Sequence, residues 1–151
     1  MDIRTRPAEE ADWAELLAIE SERFGDECYS RFFLRMAPVV LGDHLFVALS
    51  GDRIIGYSLA AADVRNQDDA WLLSIAVRAN AAGEGVGSRL LGKTLESLKA
   101  RGLGRVWLSV EPDSPAIRLY QRHGFVAGQL DANFFGVGHS RITMCLELRP
   151  S

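Results

Sequence analysis

Residues 71–98 read WLLSIAVRANAAGEGVGSRLLGKTLESL, and their order decides the fold. Trp71-Leu72-Leu73-Ser74-Ile75-Ala76-Val77 is nearly continuous in apolar residues, as expected of a central strand covered on both faces. Gly83-Glu84-Gly85-Val86-Gly87 follows, and Leu90, Leu91, Leu95 and Leu98 then form one stripe of a helix that closes at Arg101-Gly102. A strand that runs into closely spaced glycines and then a helix offers backbone N–H groups at a positive helix end, which suits a pyrophosphate. The same glycines are equally compatible with nothing more than a tight connection.

Working outward, residues 2–6 read as a short strand. Pro7 and the acidic run Ala8-Glu9-Glu10-Ala11-Asp12 then open a helix on which Trp13, Leu16, Leu17 and Glu20 recur at helical spacing. A second amphipathic helix around Phe32, Phe33 and Met36 is expected to end near Pro38, because proline cannot continue the hydrogen-bond ladder. Leu45–Leu49, the turn Ser50-Gly51-Asp52 and Arg53–Ala60 read as a β-hairpin. Arg105–Val110 is a further strand, Ser114-Pro115 starts a helix through Tyr120 that His123-Gly124-Phe125 ends, and Ile142–Leu148 is the last strand. Helices and strands alternate through the middle while hairpins occupy the ends. The expected fold is therefore α/β, a mixed, mostly antiparallel sheet with helices on both faces, in one domain over residues 1–151.

Composition narrows the function. A formal net charge of −3 gives no basic footprint for counterion release from phosphates, so no nucleic-acid partner is expected. Cys28 and Cys145 lack CxxC spacing and His44, His123 and His139 form no zinc-like pair, so no metal site is expected and the thiols read as packing residues rather than nucleophiles. Met1–Pro7 carries no apolar leader, and no apolar run approaches the ~20 residues that span a bilayer. These features predict a cytoplasmic protein without a membrane partner. One decoy stands out: Gly87-Ser88-Arg89-Leu90-Leu91-Gly92-Lys93-Thr94 fits the P-loop pattern GxxxxGK followed by Ser or Thr. A P-loop needs these residues in a loop, whereas the leucine stripe puts Gly92 and Lys93 inside a helix.

From Leu72 to Gly128 the chain resembles the GNAT superfamily of N-acetyltransferases. That pattern is an apolar strand, a glycine loop of the form R/Q-x-x-G-x-G/A, a helix, and a second strand and helix ending in LYxxxGF. Leu119-Tyr120-Gln121-Arg122-His123-Gly124-Phe125 matches the ending, with Ser109–Pro115 leading into it. The resemblance implies a central pair of parallel strands, residues 71–77 and 105–110, that splay apart to hold acetyl-CoA. Ile75 and Val77, flanking Ala76, would bond the pantetheine through their main chain. The loop Ala82-Gly83-Glu84-Gly85-Val86-Gly87-Ser88 would receive the pyrophosphate, with Gly83, Gly85, Gly87 and Ser88 offering N–H groups. Two positions depart from the family: Ala82 replaces the usual Arg or Gln, leaving Arg78 or Arg89 to compensate, and Asp113 or Ser114 replaces the usual Asn.

The implied reaction is direct attack of a primary amine on acetyl-CoA in a ternary complex, which requires a neutral amine and a proton for the departing thiolate. Tyr120 matches the family's tyrosine near that sulfur and is the candidate acid. Asp69, acting through water, and Glu111 are candidate bases, and ordered water or backbone carbonyls can serve instead. Trp13, Phe24, Phe32, Phe33, Phe134 and Phe135 would surround the acceptor, a small-molecule amine or a protein amino group. The resemblance also allows a homodimer. A non-catalytic acyl-CoA-binding module and a P-loop nucleotide-binding protein are the rival functions.

Overall fold

A computed structural model describes residues 2–149. Its strands are β1 (Ile3–Pro7), β2 (Leu45–Ser50), β3 (Arg53–Ala62), β4 (Asp69–Val77), β5 (Arg105–Val110), β6 (Val126–Asp131) and β7 (Arg141–Glu147). The helices are α1 (Trp13–Phe24), α2 (Arg31–Val40), α3 (Val86–Ala100) and α4 (Ala116–Arg122). Strand order is β1-β2-β3-β4-β5-β7-β6. β1·β2, β2·β3, β5·β7 and β6·β7 pair antiparallel, and β4·β5 is the parallel pair. The mixed, mostly antiparallel sheet with a central parallel pair agrees with the sequence reading. Parallel pairing runs through Asp69↔Arg105, Ala70↔Val106 and Trp71↔Trp107, the first positions of two longer strands.

The chain groups into two compact units, one of residues up to 61 with Leu73–Leu98, the other of Ala62–Leu72 with residues from Lys99 onward. In the first unit, the period-two alternation of β2 sorts its side chains to two faces. Leu45, Val47 and Leu49 join Leu16 and Ile19 of α1 and Leu34 and Ala37 of α2 in one core cluster. Phe46 and Ala48 point the other way, to Val86 and Leu90 of α3. Helices thus cover both faces of β2. A capping box precedes α1, in which the Glu9 N–H donates to Asp12 Oδ2 at 2.7 Å, and Arg6 pairs with the same carboxylate at 2.8 Å. The Arg6 hydrogen bond holds the Asp12 carboxyl below the usual carboxylate range. Ser30 caps α2 by accepting the Phe33 N–H at 3.1 Å. α2 passes through Pro38 instead of stopping there, and the Leu41 N–H closes it on the Ala37 carbonyl at 2.8 Å. A proline so near the last turn removes one bond of the ladder without ending it.

In the second unit Val106, Leu108 and Val110 of β5 and Met144 of β7 are buried, with Phe125 and Tyr120 nearby in sequence and edge-on to each other at 5.8 Å. Gly124, at φ +98°, turns the chain out of α4, and the Phe125 N–H returns to the Tyr120 carbonyl at 3.0 Å. β6 was not expected from sequence. All six of its residues are exposed, so it carries no alternation of apolar and polar positions to betray it. No helix of the described residues is long and apolar enough to cross a membrane.

Candidate active site

The glycine loop is built by the end of β4. Arg78 leaves the strand with its N–H on the Ile55 carbonyl at 2.8 Å, a 3-10 turn spans Ala79–Ala81, and Ala82 is extended. Gly83 and Gly85 then adopt φ of +82° and +78°, a region that side chains with a Cβ enter at a cost. A Cβ built on either glycine meets nothing within 4 Å, so this face of the loop is open. α3 begins at Val86, and its first i→i−4 bond runs from the Arg89 N–H to the Gly85 carbonyl at 3.1 Å. The N–H groups of Val86 and Gly87 precede that bond and have no i→i−4 acceptor within the helix. No acidic residue lies in the first turn of α3 to neutralise its positive end.

The base of α3 sits tightly on the strands. A Cβ at Gly56 of β3 would approach the Ala76 carbonyl oxygen to 3.0 Å and Leu90 Cδ1 to 3.1 Å, so glycine there permits the close contact. Val77 packs on the cluster containing Ala81, Val86 and Leu90. Thus Ile75, Ala76, Val77 and residues 82–88 are brought together within one unit. Along β4, Leu73, Ile75 and Val77 are half-buried while Ser74 and Ala76 are buried. The near-continuous apolar run therefore has one face only partly covered.

Neither arginine expected to compensate for Ala82 is uncommitted. Arg78 pairs with Glu15 at 2.6 Å and Glu22 at 3.4 Å and donates to the Ile54 carbonyl at 3.0 Å. Arg89 donates to the Ile3 carbonyl at 2.9 Å. The P-loop lookalike is also resolved: residues 87–94 lie wholly within α3. Lys93 sits over the Phe46 ring and pairs with Glu96 at 3.7 Å, while the buried Thr94 bonds Ser58 and the Leu90 carbonyl. From Arg89 onward the helical backbone spends its amides on itself, so residues 90–94 cannot cradle a phosphate as the P-loop pattern requires.

The second unit holds the remaining candidates. Asp69 falls inside β4 as its first residue and is buried rather than a solvated acid beside the strand. Its Oδ1 accepts from Arg105 Nε at 3.1 Å, and its Oδ2 accepts from Trp107 Nε1 and Asn66 Nδ2, each at 3.1 Å. That carboxylate secures the start of the parallel pair. Glu111 is exposed just past β5, and its carbonyl accepts the Ser114 N–H at 3.1 Å. Asp113 is exposed, and Ser114 Oγ accepts the Ala116 N–H at 3.2 Å at the start of α4. Tyr120 is buried, and burial pushes its phenol pKa up against a smaller opposing effect of Arg141. Among the described residues its hydroxyl has no hydrogen-bond partner. Of the aromatics expected around the acceptor, Phe24, Phe32, Phe134 and Phe135 are exposed, Trp13 is half-buried, and Phe33 is half-buried with its ring 4.6 Å from Tyr29. Among the described residues no group of three or more His, Cys, Asp and Glu is arranged to hold a metal ion.

One residue that the sequence places only in the helical stripe of α1 has a larger part in the structure. Glu20, 2% exposed, lies on the buried side of α1. Its Oε1 accepts from the Tyr57 and Ser74 hydroxyls, each at 2.5 Å, and its Oε2 accepts the Tyr29 N–H at 3.1 Å. The Tyr29 hydroxyl in turn donates to the Leu73 carbonyl at 2.6 Å. Burial and the neighbouring Glu20 charge push the Tyr57 phenol pKa strongly upward, so it stays a donor. The available signal was a carboxylate in register with Trp13, Leu16 and Leu17 on an otherwise apolar helix face.

The acetyltransferase (GNAT) family matches residues 9–125. The ribosomal protein bS18-alanine N-acetyltransferase of Haemophilus influenzae is 31% identical over 87 residues, 58% of this chain and 58% of that protein. N-alpha-acetyltransferase 30 of Schizosaccharomyces pombe is 29% identical over 102 residues, 66% of this chain and 68% of that protein. The structure of an acetyltransferase from Salmonella typhimurium with its cofactor acetyl-CoA superposes with a TM-score of 0.81 at 19% identity, covering 99% of this chain and 95% of that one.

Proposed function

Because the chain belongs to the acetyltransferase (GNAT) family, we propose that it moves the acetyl group of acetyl-CoA to the amino terminus of a protein or peptide, as one acetyltransferase domain over residues 1–151. The loop over residues 82–88 carries this reading. Two open glycines with left-handed backbone lead into the positive end of a long helix, an arrangement that suits a pyrophosphate. Ala82 supplies no side-chain donor, so the main chain of Gly83, Gly85, Gly87 and Ser88 holds the phosphates, and the main chain of Ile75 and Val77 orients the pantetheine arm.

In the reaction a neutral amine attacks the thioester carbonyl within a ternary complex. A C–N bond forms, the C–S bond breaks, the amine nitrogen loses a proton and the departing thiolate gains one. Tyr120 is the donor to the thiolate, and its burial keeps the phenol protonated above neutral pH. Glu111 or water takes the amine proton, since Asp69 already serves three donors. A protein amino terminus is favoured as acceptor because the two matched relatives are named for alanine and α-amino acetylation.

The test is a thermal-shift titration with acetyl-CoA, CoA and ATP in parallel, followed by a screen of peptides differing in their first residue, read by thiol release and mass spectrometry. Stabilisation by acetyl-CoA and CoA but not ATP, with acetyl appearing on a peptide α-amine, is the expected outcome. Absence of acetyl-CoA binding would sink the proposal. Binding without turnover on any amine would mark a coenzyme-binding module instead, and turnover confined to small amines would overturn the acceptor.

A further inference from the structure

Glu20 is a buried anion whose partners among the described residues are all neutral: two hydroxyls and one backbone N–H. Taking a carboxylate out of water is costly, and an apolar side chain of similar volume would fill the same space without that penalty. What a carboxylate alone provides is acceptance of three donors at once, in fixed directions. Those donors come from three further segments of the same unit: Tyr57 from β3, Ser74 from β4 and Tyr29 from the segment before α2. Ser74 is the residue between Leu73, whose carbonyl takes the Tyr29 hydroxyl, and Ile75. Both the side chain and the backbone at this point of β4 are therefore tied, directly or through Tyr29, to one carboxylate.

We propose that Glu20 is a positioning residue for the coenzyme: its carboxylate, through Ser74 and Tyr29, sets the backbone of β4 so that the main-chain groups of Ile75 and Val77 are presented in fixed orientation. The inference rests on the acetyltransferase reading of residues 75–88. It adds a residue on α1 that touches no reacting atom yet governs how well the strand receives its ligand, as buried polar networks do when every member is satisfied. Glutamine cannot replace the carboxylate in full, because its single acceptor oxygen cannot serve the Tyr57 and Ser74 hydroxyls on one side and the Tyr29 N–H on the other at once.

The experiment uses the full chain in five forms: wild type, Glu20→Gln, Ser74→Ala, Tyr29→Phe and, as a stability control, Leu34→Ala in the same core cluster but outside the network. Acetyl-CoA affinity is measured by calorimetry, melting temperature by thermal unfolding, and the Leu73 carbonyl and Ile75 amide resonances by NMR. Glu20→Gln and Ser74→Ala are expected to raise the acetyl-CoA Kd about tenfold, the effect of losing one hydrogen bond to a charged group. Tyr29→Phe is expected to move the Leu73 carbonyl resonance while the fold persists. Leu34→Ala is expected to lower the melting temperature and bind acetyl-CoA as wild type does. If Glu20→Gln does not fold, Ser74→Ala and Tyr29→Phe decide the matter. Wild-type affinity in the network variants, or an equal loss in Leu34→Ala, would overturn the positioning role and leave the acetyltransferase reading standing. Failure of the wild-type chain to bind acetyl-CoA would overturn both.

Discussion

Gly85→Ala separates backbone strain from ligand contact when it is paired with Gly51→Ala. Both glycines belong to the same unit, both have positive φ (+78° and +61°), and neither has any atom within 4 Å of a built Cβ. Alanine at either position therefore clashes with nothing and costs only the left-handed backbone, about 1–2 kcal/mol. For a chain of this length each kcal/mol lowers Tm by about 2–4 °C, so both variants should melt about 2–8 °C below wild type. Their ligand behaviour should differ. Gly51 lies in the β2–β3 turn, whereas the open face of Gly85 is where a pyrophosphate would meet the start of α3. A methyl group there holds the anion away from at least one backbone N–H. Losing one such bond to a charged group is worth about 1.5–3 kcal/mol, or about ten- to a hundredfold in Kd. Calorimetry with acetyl-CoA, run well below both melting points, should show that loss for Gly85→Ala and none for Gly51→Ala. Equal losses would mean that affinity follows global stability, and no loss in either would remove the loop from the binding site.

Tyr120→Phe should lower kcat about a hundredfold, the low end of general-acid effects, while the acetyl-CoA Kd stays unchanged; an unaltered rate would remove Tyr120 from the chemistry. Since burial raises the Tyr120 pKa, the phenol stays protonated through the range where an ordinary tyrosine ionises, and any alkaline fall in kcat that belongs to it should lie above about pH 10. Lys93→Ala should leave acetyl-CoA turnover intact and create no ATP sensitivity, because the side chain is engaged with Glu96 along α3 and with Phe46 of β2; loss of activity in a folded variant would revive the nucleotide reading. Asp12→Asn should be less stable than wild type at neutral pH. The folded-state pKa of Asp12 is depressed, so its contribution is fully present above the unfolded carboxylate pKa and disappears as pH falls through the lower folded value. Urea midpoints of the two proteins should therefore draw together as pH falls below the usual carboxylate range, and a constant gap would refute the Arg6–Asp12 assignment.

The parts of this fold legible in the sequence were those in which one face is apolar. β2 alternates between two core clusters, α3 carries its leucine stripe, and the turn at Gly51 needs a residue that accepts positive φ. β6 was invisible because an edge strand exposed at every position obeys no hydrophobic period; its register on β7 is set by the partner strand. α2 ran past Pro38 because only the ladder bond of the proline itself is lost near a helix end. At the candidate site, the glycine loop could be named from spacing, since its local conformation depends on residues adjacent in sequence, whereas Tyr120 could be named only from the resemblance of residues 119–125 to the family's ending. The Glu20 network could not, since Glu20, Tyr29, Tyr57 and Ser74 meet only after α1, β3 and β4 have assembled. Asp69 shows the same limit in reverse. Nothing local reveals that Arg105 and Trp107 will occupy its oxygens, because their approach depends on the parallel pairing.

The absence of a polar side chain at Ala82 then has a definite physical reading. Arg78 is spent on Glu15, Glu22 and Ile54, and Arg89 donates to Ile3, so these two cations hold α1, β1, β3 and the end of β4 in place. With those side chains employed in the scaffold, the proposed recognition of phosphate would fall to backbone N–H groups and the dipole of α3. Such donors are fixed by the fold rather than by rotamers, so they lose little entropy on binding, and they tolerate changes at the side chains of Ala82, Glu84 or Ser88. They do not tolerate a Cβ where the chain must turn left-handed and let an anion approach. Affinity should therefore be insensitive to Glu84→Gln apart from a small gain from removing a negative charge, and sensitive to Gly83→Ala and Gly85→Ala. That ordering is the reverse of what a side-chain clamp would give, and calorimetry on the three variants distinguishes the two modes directly.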